Sequence, residues 1–518
     1  MEMIYGVKDR PPAGRLVLFS LQQLLAILAA TIAVPAVING SIGRAMENFA
    51  GIEIPYMSQS AALFGAGVGT IVYLLFTKFK SPVFLGSSFA FLGSMAAAFA
   101  GGVSASLGYL GLLLGAVFAG LVYVVIAVIV HFAGVKWIDK IMPAVVIGPT
   151  VAIIGLSLAG NAIGDLSSGS VTRAVTEWYL VSAETGEVAQ RVVNYMVCSP
   201  YLALLCGLVT LAVTIACSVY GNKMLKMIPF IIGILAGYAL AAVFTGIGYA
   251  ANVDALKIIN FGLFKNLTKA SAWYPDFTFL TAFKGGYTIA EGSVGGYIGT
   301  IAVAYIPVAF VVFAEHLADH KNISSIIEHD LLADPGLSRT LLGDGVGSMA
   351  GALFGGCPNT TYGESVGCVA ISGNASIVTI FTTALMAIVA SFVAPFVLFL
   401  ATIPPCVMGG VCVALYGFIA VSGLKMIQKV DLEDNRNLFV VCVILIAGVG
   451  GMAISFGQVT VTEVACALIL GILTNLLVNI KRGKAKAAPV QSNTFLFEEE
   501  PVNVEEVAAA EEQPPVNE

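Results

Sequence analysis

Charged residues are scarce in this sequence. Asp, Glu, Lys and Arg make up 11% of its 518 residues, whereas soluble domains contain about 25%. Hydrophobic residues make up 58%, and the mean hydropathy is +0.92. Such a composition excludes a soluble globular domain and indicates a polytopic membrane protein. The lipid bilayer is its expected surrounding, and nucleic acid is not an expected partner.

The sequence also lacks the groupings that mark cofactors and active sites. Its nine cysteines show no paired framework, so we expect small buried residues and neither disulfides nor metal ligands. His316 and His320 have no metal-ligating company in the sequence, and we interpret them as interfacial residues. With no nucleophile–base pair or metal cluster in view, the sequence predicts no enzyme, no metal and no cofactor.

Long apolar runs are abundant. Runs of about 20 residues cross a bilayer, and they predict an all-α fold of 14 transmembrane segments, seven in each half, including a continuous span over 377–401. Residues 1–15 are polar and basic, so no cleavable signal peptide is expected. Lysine and arginine cluster on the links that fall on one side. This pattern predicts a plasma (inner) membrane protein with both termini in the cytoplasm.

Two pairs of matching motifs divide the chain into two repeats. Residues 142–148 (MPAVVIG) match 403–409 (IPPCVMG), and 86–91 (GSSFAF) match 359–364 (NTTYGE). Because each repeat has an odd number of spans, the second copy enters the membrane inverted, which is typical of secondary transporters. The predicted boundaries are a cytoplasmic N-terminus at 1–15, a first repeat at 16–249 with an extracellular insertion at 164–200, an extracellular polar linker at 250–285, a second repeat at 286–480, and a disordered cytoplasmic tail at 481–518.

The motifs at 86–91 and 359–364 predict short extended segments in spans 3 and 10. Residues 358–361 suit an extended segment, and residues 365–372 suit a short helix. A change from strand to helix at membrane depth leaves backbone N–H groups unpaired, which is tolerated only where protein covers the break or a cavity adjoins it. We interpret the two breaks as the halves of a binding site. A structural kink is the alternative.

Acidic residues lie inside two of these spans. Glu364 ends the second motif, and Glu315 shares a helix face with Asp319, four residues later. A carboxyl at membrane depth is costly when charged, which suits proton exchange and recognition of a substrate N–H group. A structural ion pair is the alternative for Glu315, and a capping role for Asp319. Asp344 is either a proton relay partner or a carboxylate at a helix start.

The first break offers complementary groups. Phe89 supplies a ring for stacking, and the backbone around Phe89 and Gly363 supplies N–H groups directed at the space between the short helices. A flat, neutral heterocycle with adjacent N–H and C=O groups matches this set, because carboxylates accept from its N–H groups and backbone donors meet its carbonyls.

These motifs, together with 314–316 (AEH) and 335–337 (PGL), resemble the nucleobase–ascorbate transporters, also called the second nucleobase:cation symporter family, with the bacterial uracil permease branch nearest. The resemblance implies a core domain of spans 1–4 and 8–11 and a gate domain of spans 5–7 and 12–14. It also implies proton symport of a nucleobase, uracil first, often by a homodimer. By position, Glu315, Glu364, Phe89 and Gly363 contact the base, and Tyr362 and Tyr416 support it.

Three positions depart from the family pattern. The usual Gln-His pair of the first span is Gln22-Gln23 here, Ser365 replaces a common Asn, and Asp319 stands where the uracil branch has His. Asp319 and Asp344 are more typical of the purine branch, so a purine carrier for xanthine, uric acid or guanine is the alternative. An anion transporter of the same architecture is a further one.

Overall fold

The computed structural model describes residues 3–46, 56–100, 102–182, 187–290, 292–456 and 459–480. The predicted disordered tail at 481–518 lies outside the described residues. Helices dominate, as the apolar runs predict. Several begin where a serine side chain caps the first turn: the Ser58 hydroxyl accepts from the N–H of Ala61, and the Ser104 hydroxyl from that of Leu107.

The helices of the first half follow the predicted apolar runs. They are α1 (Ala13–Met46), α2 (Gln59–Phe76), α3 (Leu92–Ala97), α4 (Ala105–Ala133), α5 (Lys136–Ile141), α6 (Ala144–Ser157), α7 (Ala159–Leu166), α8 (Pro200–Tyr220), α9 (Lys223–Met227) and α10 (Pro229–Ala250). The linker that follows contains 3-10 helices at Asp254–Leu256, Phe261–Thr268 and Ala270–Trp273, and the helix α11 (Thr278–Ala282).

The helices of the second half range from 9 to 34 residues. They are α12 (Val294–Ile327), α13 (Leu337–Gly355), α14 (Gly363–Ser372), α15 (Ile377–Ala390), α16 (Ala394–Thr402), α17 (Pro405–Ile427), α18 (Asn435–Val449) and α19 (Glu463–Asn479), with a π-helical turn at Leu332–Gly336. The strands of the whole chain are β1 (Leu85–Ser87), β2 (Thr172–Ser182), β3 (Glu187–Met196), β4 (Asn359–Thr361), β5 (Ile454–Phe456) and β6 (Val459–Val461).

Within the described residues, eight helices are long and apolar enough to cross a membrane. The chain is therefore a polytopic membrane protein. The predicted span over 377–401 is broken in the middle, because α15 and α16 meet at an angle of 83°. Residues 391–393, which separate the two helices, include Ser391, whose hydroxyl bonds back to the Ile388 carbonyl. Such local bonding competes with helix continuation.

The prediction of an all-α chain with only two extended segments is incomplete. Two antiparallel hairpins also form: β2–β3 within the predicted insertion at 164–200, and β5–β6 before α19. Helix α7 also continues to Leu166, so the insertion begins three residues later than predicted. The two strand segments of the insertion, 172–182 and 187–196, are rich in β-branched and aromatic residues, which favour a hairpin.

Packing divides the long helices into two groups. Helices α1, α2, α4, α12, α13 and α15 pack on one another, and α6, α8, α10, α17, α18 and α19 form a second group. Helix α12 also contacts α6 and α19, and α1 contacts α10 and α17. Helices α1 and α12 therefore lie where the two groups meet.

Candidate substrate-binding site

The two predicted breaks meet in the interior of the protein. Strands β1 and β4 pair antiparallel, with Leu85 opposite Thr361, Gly86 opposite Thr360 and Ser87 opposite Asn359. All six residues are buried. Pairing two short strands satisfies backbone groups that neither break could satisfy alone at membrane depth. The extended segments predicted in spans 3 and 10 are thus present, and each is the other's partner.

A short helix follows each strand. The 3-10 helix Phe89–Phe91 leads into α3 after β1, and α14 follows β4. The first N–H groups of such helices have no intrahelical acceptor and carry partial positive charge. Glu364 lies in the first turn of α14. Its carboxyl therefore lies where a helix end favours negative charge.

Glu315 on α12 and Glu364 on α14 are brought together. Glu315 is close enough to interact electrostatically with Glu364, Asp319 and Asp344. Both glutamates are half-buried, and Gly363 between strand and helix is exposed. In the described part of the chain, neither glutamate carboxyl has a hydrogen bond or an ion pair with another side chain. The structural ion pair considered for Glu315 is therefore absent there, and both carboxyls are available to a ligand.

Asp319 lies beside the same break. Its Oδ2 accepts a hydrogen bond of 2.8 Å from the Thr361 hydroxyl. A Cβ atom placed on Gly363 would lie 3.7 Å from Asp319 Oδ1. Asp319 is buried eight residues before the end of α12, so it does not cap that helix. Its position joins α12 to the end of β4.

Two aromatic residues, Phe89 after β1 and Tyr416 on α17, pack against each other where the two helix groups meet. The Phe89 ring packs edge-on against the Tyr416 ring of α17, with 5.4 Å between ring centroids. The Tyr416 hydroxyl is buried and has no hydrogen-bond partner among the described residues. Tyr362 is directed elsewhere: its hydroxyl donates to the Ser87 carbonyl at 2.9 Å, and its ring occupies the space above Gly86. Tyr362 thus supports the paired strands β1 and β4 (the crossing strands), whereas the rings of Phe89 and Tyr416 pack on each other.

Two expectations about nearby residues are wrong. His316 and His320 are fully buried between α12, α13 and α2, so they are not interfacial. Asp344 lies in the middle of α13 and not at a helix start. Its Oδ2 lies 2.7 Å from Nδ1 of His316. Because His316 follows Glu315 directly, it faces α13 while Glu315 and Asp319 share the face toward the break.

Gln23 and Ser365 were singled out in the sequence only as departures from a pattern, and the structure places them in contact. The Gln23 side-chain amide on α1 donates to the Ser365 hydroxyl at 2.5 Å, and the same hydroxyl accepts from the N–H of Phe84 at 3.1 Å. These bonds connect α1, the start of β1 and α14. The signal available in the sequence was that both departures occur together.

Two cavities lie outside this cluster of acids. A cavity of 580 Å³ lies where α4 ends and α13 begins, with His131, Pro335 and Arg339 in its lining. A cavity of 20 Å³ adjoins Phe89 and Glu463, large enough for about one water molecule. The described residues contain no group of His, Cys, Asp and Glu suited to hold a metal ion.

Comparison with known proteins identifies relatives of similar length. The chain is 35% identical over 478 residues to a uracil permease of Bacillus caldolyticus, covering 92% of this chain and 94% of that protein. It is 32% identical over 474 residues to a uracil permease of Escherichia coli K12, covering 91% and 93%. The chain therefore spans nearly the full length of these relatives.

Solved structures of other transporters share the fold. The murine solute carrier 26 member A9 anion transporter, in its inward-facing state, matches with a TM-score of 0.56 at 13% identity, covering 92% of this chain and 70% of that one. The transmembrane domain of the cyanobacterial bicarbonate transporter BicA matches with a TM-score of 0.50 at 14% identity, covering 90% and 98%. At this identity the likeness shows the fold alone.

A family-level match covers most of the chain. The family model Xan_ur_permease, described as a permease family, matches residues 14–456. That range includes both crossing strands and the helices that carry Glu315, Asp344 and Glu364. The chain belongs to the nucleobase–ascorbate transporter family.

Proposed function

We propose that this protein imports a nucleobase, uracil first, by proton symport. The observation that carries the proposal is the pair of half-buried carboxyls of Glu315 and Glu364, unpaired with any described side chain and placed beside two short helices that start at crossing strands. Carboxylates accept hydrogen bonds from the N–H groups of a base, and backbone donors suit its carbonyls. The names of the relatives, uracil permease, support this substrate class.

Phe89 and Gly363 complete the proposed base site. The Phe89 ring offers a face or edge to a flat heterocycle, and Tyr416 holds that ring from α17. Gly363 has no side chain to block the approach of a base to the first turn of α14. Tyr362 supports the site through its bond to the Ser87 carbonyl.

Proton coupling is proposed for the acidic cluster as a whole. Glu315, Glu364, Asp319 and Asp344 lie within electrostatic range of one another. Four carboxyls this close cannot all be ionised at low cost in a membrane interior. A change in charge at one of them therefore alters proton binding at the others, which links base binding to proton uptake. A proton is the only coupling ion this proposal requires.

Transport would proceed by alternating access. We assign α1, α2, α4, α12, α13 and α15, with the crossing strands, to the core, and the second packing group to the gate. The base site lies at their junction, because Phe89 belongs to the first group and Tyr416 to the second. Fourteen spans, cytoplasmic termini and a homodimer belong to the same proposal.

A purine substrate is the second candidate, favoured by Asp319 and Asp344. A thermal-shift screen of the purified protein against uracil, xanthine, uric acid and guanine separates the two, followed by competition of each base against labelled uracil. Uracil should give the largest stabilisation. Stabilisation by a purine alone would reassign the substrate, and stabilisation by none of the bases would reject the site. An anion substrate is disfavoured, because neither glutamate has a cationic partner among the described side chains.

A further inference from the structure

A buried polar cluster adjoins the acids and includes one of them, Asp344, and the proposed contacts to the base do not use it. It consists of His316 and His320 on α12, Thr340 and Asp344 on α13, and Tyr73 on α2, and all five side chains are fully buried. Buried polar groups in a membrane protein are costly unless they are paired and are a frequent sign of function. The pairing of His316 is therefore informative.

Hydrogen bonds determine which nitrogen of His316 carries a proton. The Thr340 hydroxyl donates to the Leu337 carbonyl at 3.1 Å, so its oxygen is free to accept from His316 Nε2 at 3.0 Å. Nε2 therefore carries a hydrogen. The other nitrogen, Nδ1, lies 2.7 Å from Asp344 Oδ2.

With the Thr340 hydroxyl assigned as donor to Leu337 and the ring hydrogen to Nε2, one proton lies between His316 and Asp344. A neutral imidazole with its hydrogen on Nε2 presents a lone pair at Nδ1, and a carboxylate would oppose it with a second lone pair. A bond of 2.7 Å thus means either an acid donating to imidazole or an imidazolium donating to a carboxylate. The proton lies on Asp344 Oδ2 in the first form and on His316 Nδ1 in the second, and the pair has no net charge in either.

The surroundings of the pair favour its retention of that proton. Asp344 Oδ1 is buried without a partner among the described residues, so a lone carboxylate there would be poorly solvated. Tyr123 faces His316 from α4, with 6.3 Å between ring centroids, and no lysine or arginine is bonded to the pair among the described residues. Glu315 and Asp319, on the same helix, interact electrostatically with Asp344.

His320 provides a contrast within the same cluster. Its ring stacks on that of His316, with centroids 4.0 Å apart. Its nitrogens bond the His316 carbonyl at 2.9 Å and the Tyr73 hydroxyl at 2.7 Å, and neither bonds a carboxyl. His320 is therefore equally buried but has no acid with which to share a proton.

We propose that His316 is a positioning residue that fixes one proton between itself and Asp344, and that this pair stores the coupling proton beside the base site. The inference rests on the proposed proton symport. In the cycle, Asp344 Oδ2 gives this proton to Glu315 or Asp319 and takes one back. No group is oxidised or reduced, and no bond other than this O–H bond is broken.

The test compares two activities of His316→Gln in proteoliposomes. One is accumulation of labelled uracil driven by an inward proton gradient, and the other is exchange of labelled for unlabelled uracil at equal pH. Gradient-driven accumulation should fall about tenfold or more, and exchange should stay within about twofold of wild type. His320→Gln should keep the wild-type ratio of the two activities. An equal loss of both activities in His316→Gln, or the same loss of accumulation in His320→Gln, would overturn the proposal in favour of a packing role.

A milder pair of variants covers the case in which His316→Gln does not fold. Thr340→Val removes the oxygen that fixes Nε2–H, and Thr340→Ser keeps it. The midpoint of the pH profile of accumulation should shift by about half a unit or more in Thr340→Val relative to Thr340→Ser. An unchanged midpoint refutes the stored proton. If wild type itself accumulates uracil without a proton gradient, the symport proposal fails. Infrared spectroscopy then still tests the pair: a protonated-carboxyl band lost in Asp344→Asn, or an imidazolium band lost in His316→Gln, supports a shared proton, and the absence of both bands refutes it.

Discussion

The Thr361 hydroxyl donates a hydrogen bond of 2.8 Å to Asp319 Oδ2. Thr361 belongs to β4 and Asp319 to α12, so this bond ties the crossing strands to the helix that carries Glu315. The break and the acidic helix therefore hold one another in position.

Removal of that bond should weaken transport without the loss of a charge. Thr361→Val keeps the side-chain volume but leaves the buried Asp319 Oδ2 without its donor, at a cost of about 1–3 kcal/mol for an unsatisfied buried acceptor. We expect kcat/KM for uracil uptake to fall about tenfold or more. Thr361→Ser retains the hydroxyl and should keep wild-type uptake. Equal activity of the valine and serine variants would show that the bond has no role in the site.

The close approach of α2 to β4 predicts a stability effect. A Cβ atom on Gly69 would meet the Asn359 amide and lie 2.7 Å from the Gly347 carbonyl oxygen. Gly69→Ala should therefore destabilise the protein by about 1–3 kcal/mol, as overpacking of a buried site does. Gly246→Ala is the matched control, because it lies within α10 and a Cβ there meets nothing within 4 Å. Melting temperatures in detergent should fall for the first variant and be unchanged or higher for the second. The reverse order would contradict the packing described.

Two variants of Tyr416 distinguish the contribution of its ring to base binding from that of its hydroxyl. Tyr416→Phe removes a buried hydroxyl that has no partner among the described residues, so base affinity should change less than about threefold. Tyr416→Ala removes the support of the Phe89 ring, and affinity should fall about tenfold. Binding titrations with uracil measure both. A large loss in Tyr416→Phe would instead indicate that the hydroxyl bonds the base directly.

The ion pair of Lys80 and Asp334, which lies outside the membrane-spanning segments, should make the stability of the protein depend on pH. The Lys80 ammonium bonds its carboxyl at 2.5 Å and lowers the pKa of Asp334 below its ordinary value of 3.8. Stability from this pair is present above the ordinary value and is lost as pH falls through the lowered pKa. The melting temperature of Asp334→Asn should therefore fall less than that of wild type as the pH is lowered from about 5 to about 3.

The size of this difference should depend on salt. The side chains of Lys80 and Asp334 are 39% and 51% exposed, so added salt should shrink the difference. Lys80→Met should behave as Asp334→Asn does, because it removes the other partner. Identical acid profiles for wild type and both variants would show that the pair contributes nothing measurable.

Sequence reasoning located the two breaks and the acids but not how they are joined. Proline, glycine and hydroxyl residues inside apolar runs mark a break, and a membrane-embedded glutamate is conspicuous against such a background. The pairing of β1 with β4 has no such local signal, because its partners lie far apart in the chain and each strand is only three residues long.

The buried histidines show a second limit. An apolar run beginning at Leu341 places Asp344 near a helix start, but α13 begins at Leu337, so its first turn includes polar Ser338 and Arg339. This extension places Thr340 and Asp344 on one face toward His316. Helix periodicity predicts which residues share a face, but not which helix that face meets. His316 therefore looked unpartnered in the sequence.

The most direct measurement of the central claim is uptake of labelled uracil into proteoliposomes with and without an inward proton gradient, for wild type, Glu315→Gln and Glu364→Ala. Wild type should accumulate uracil only with the gradient, and both variants should lose transport while they remain expressed and monodisperse. Gradient-independent accumulation by wild type, or wild-type uptake by either variant, would contradict the account.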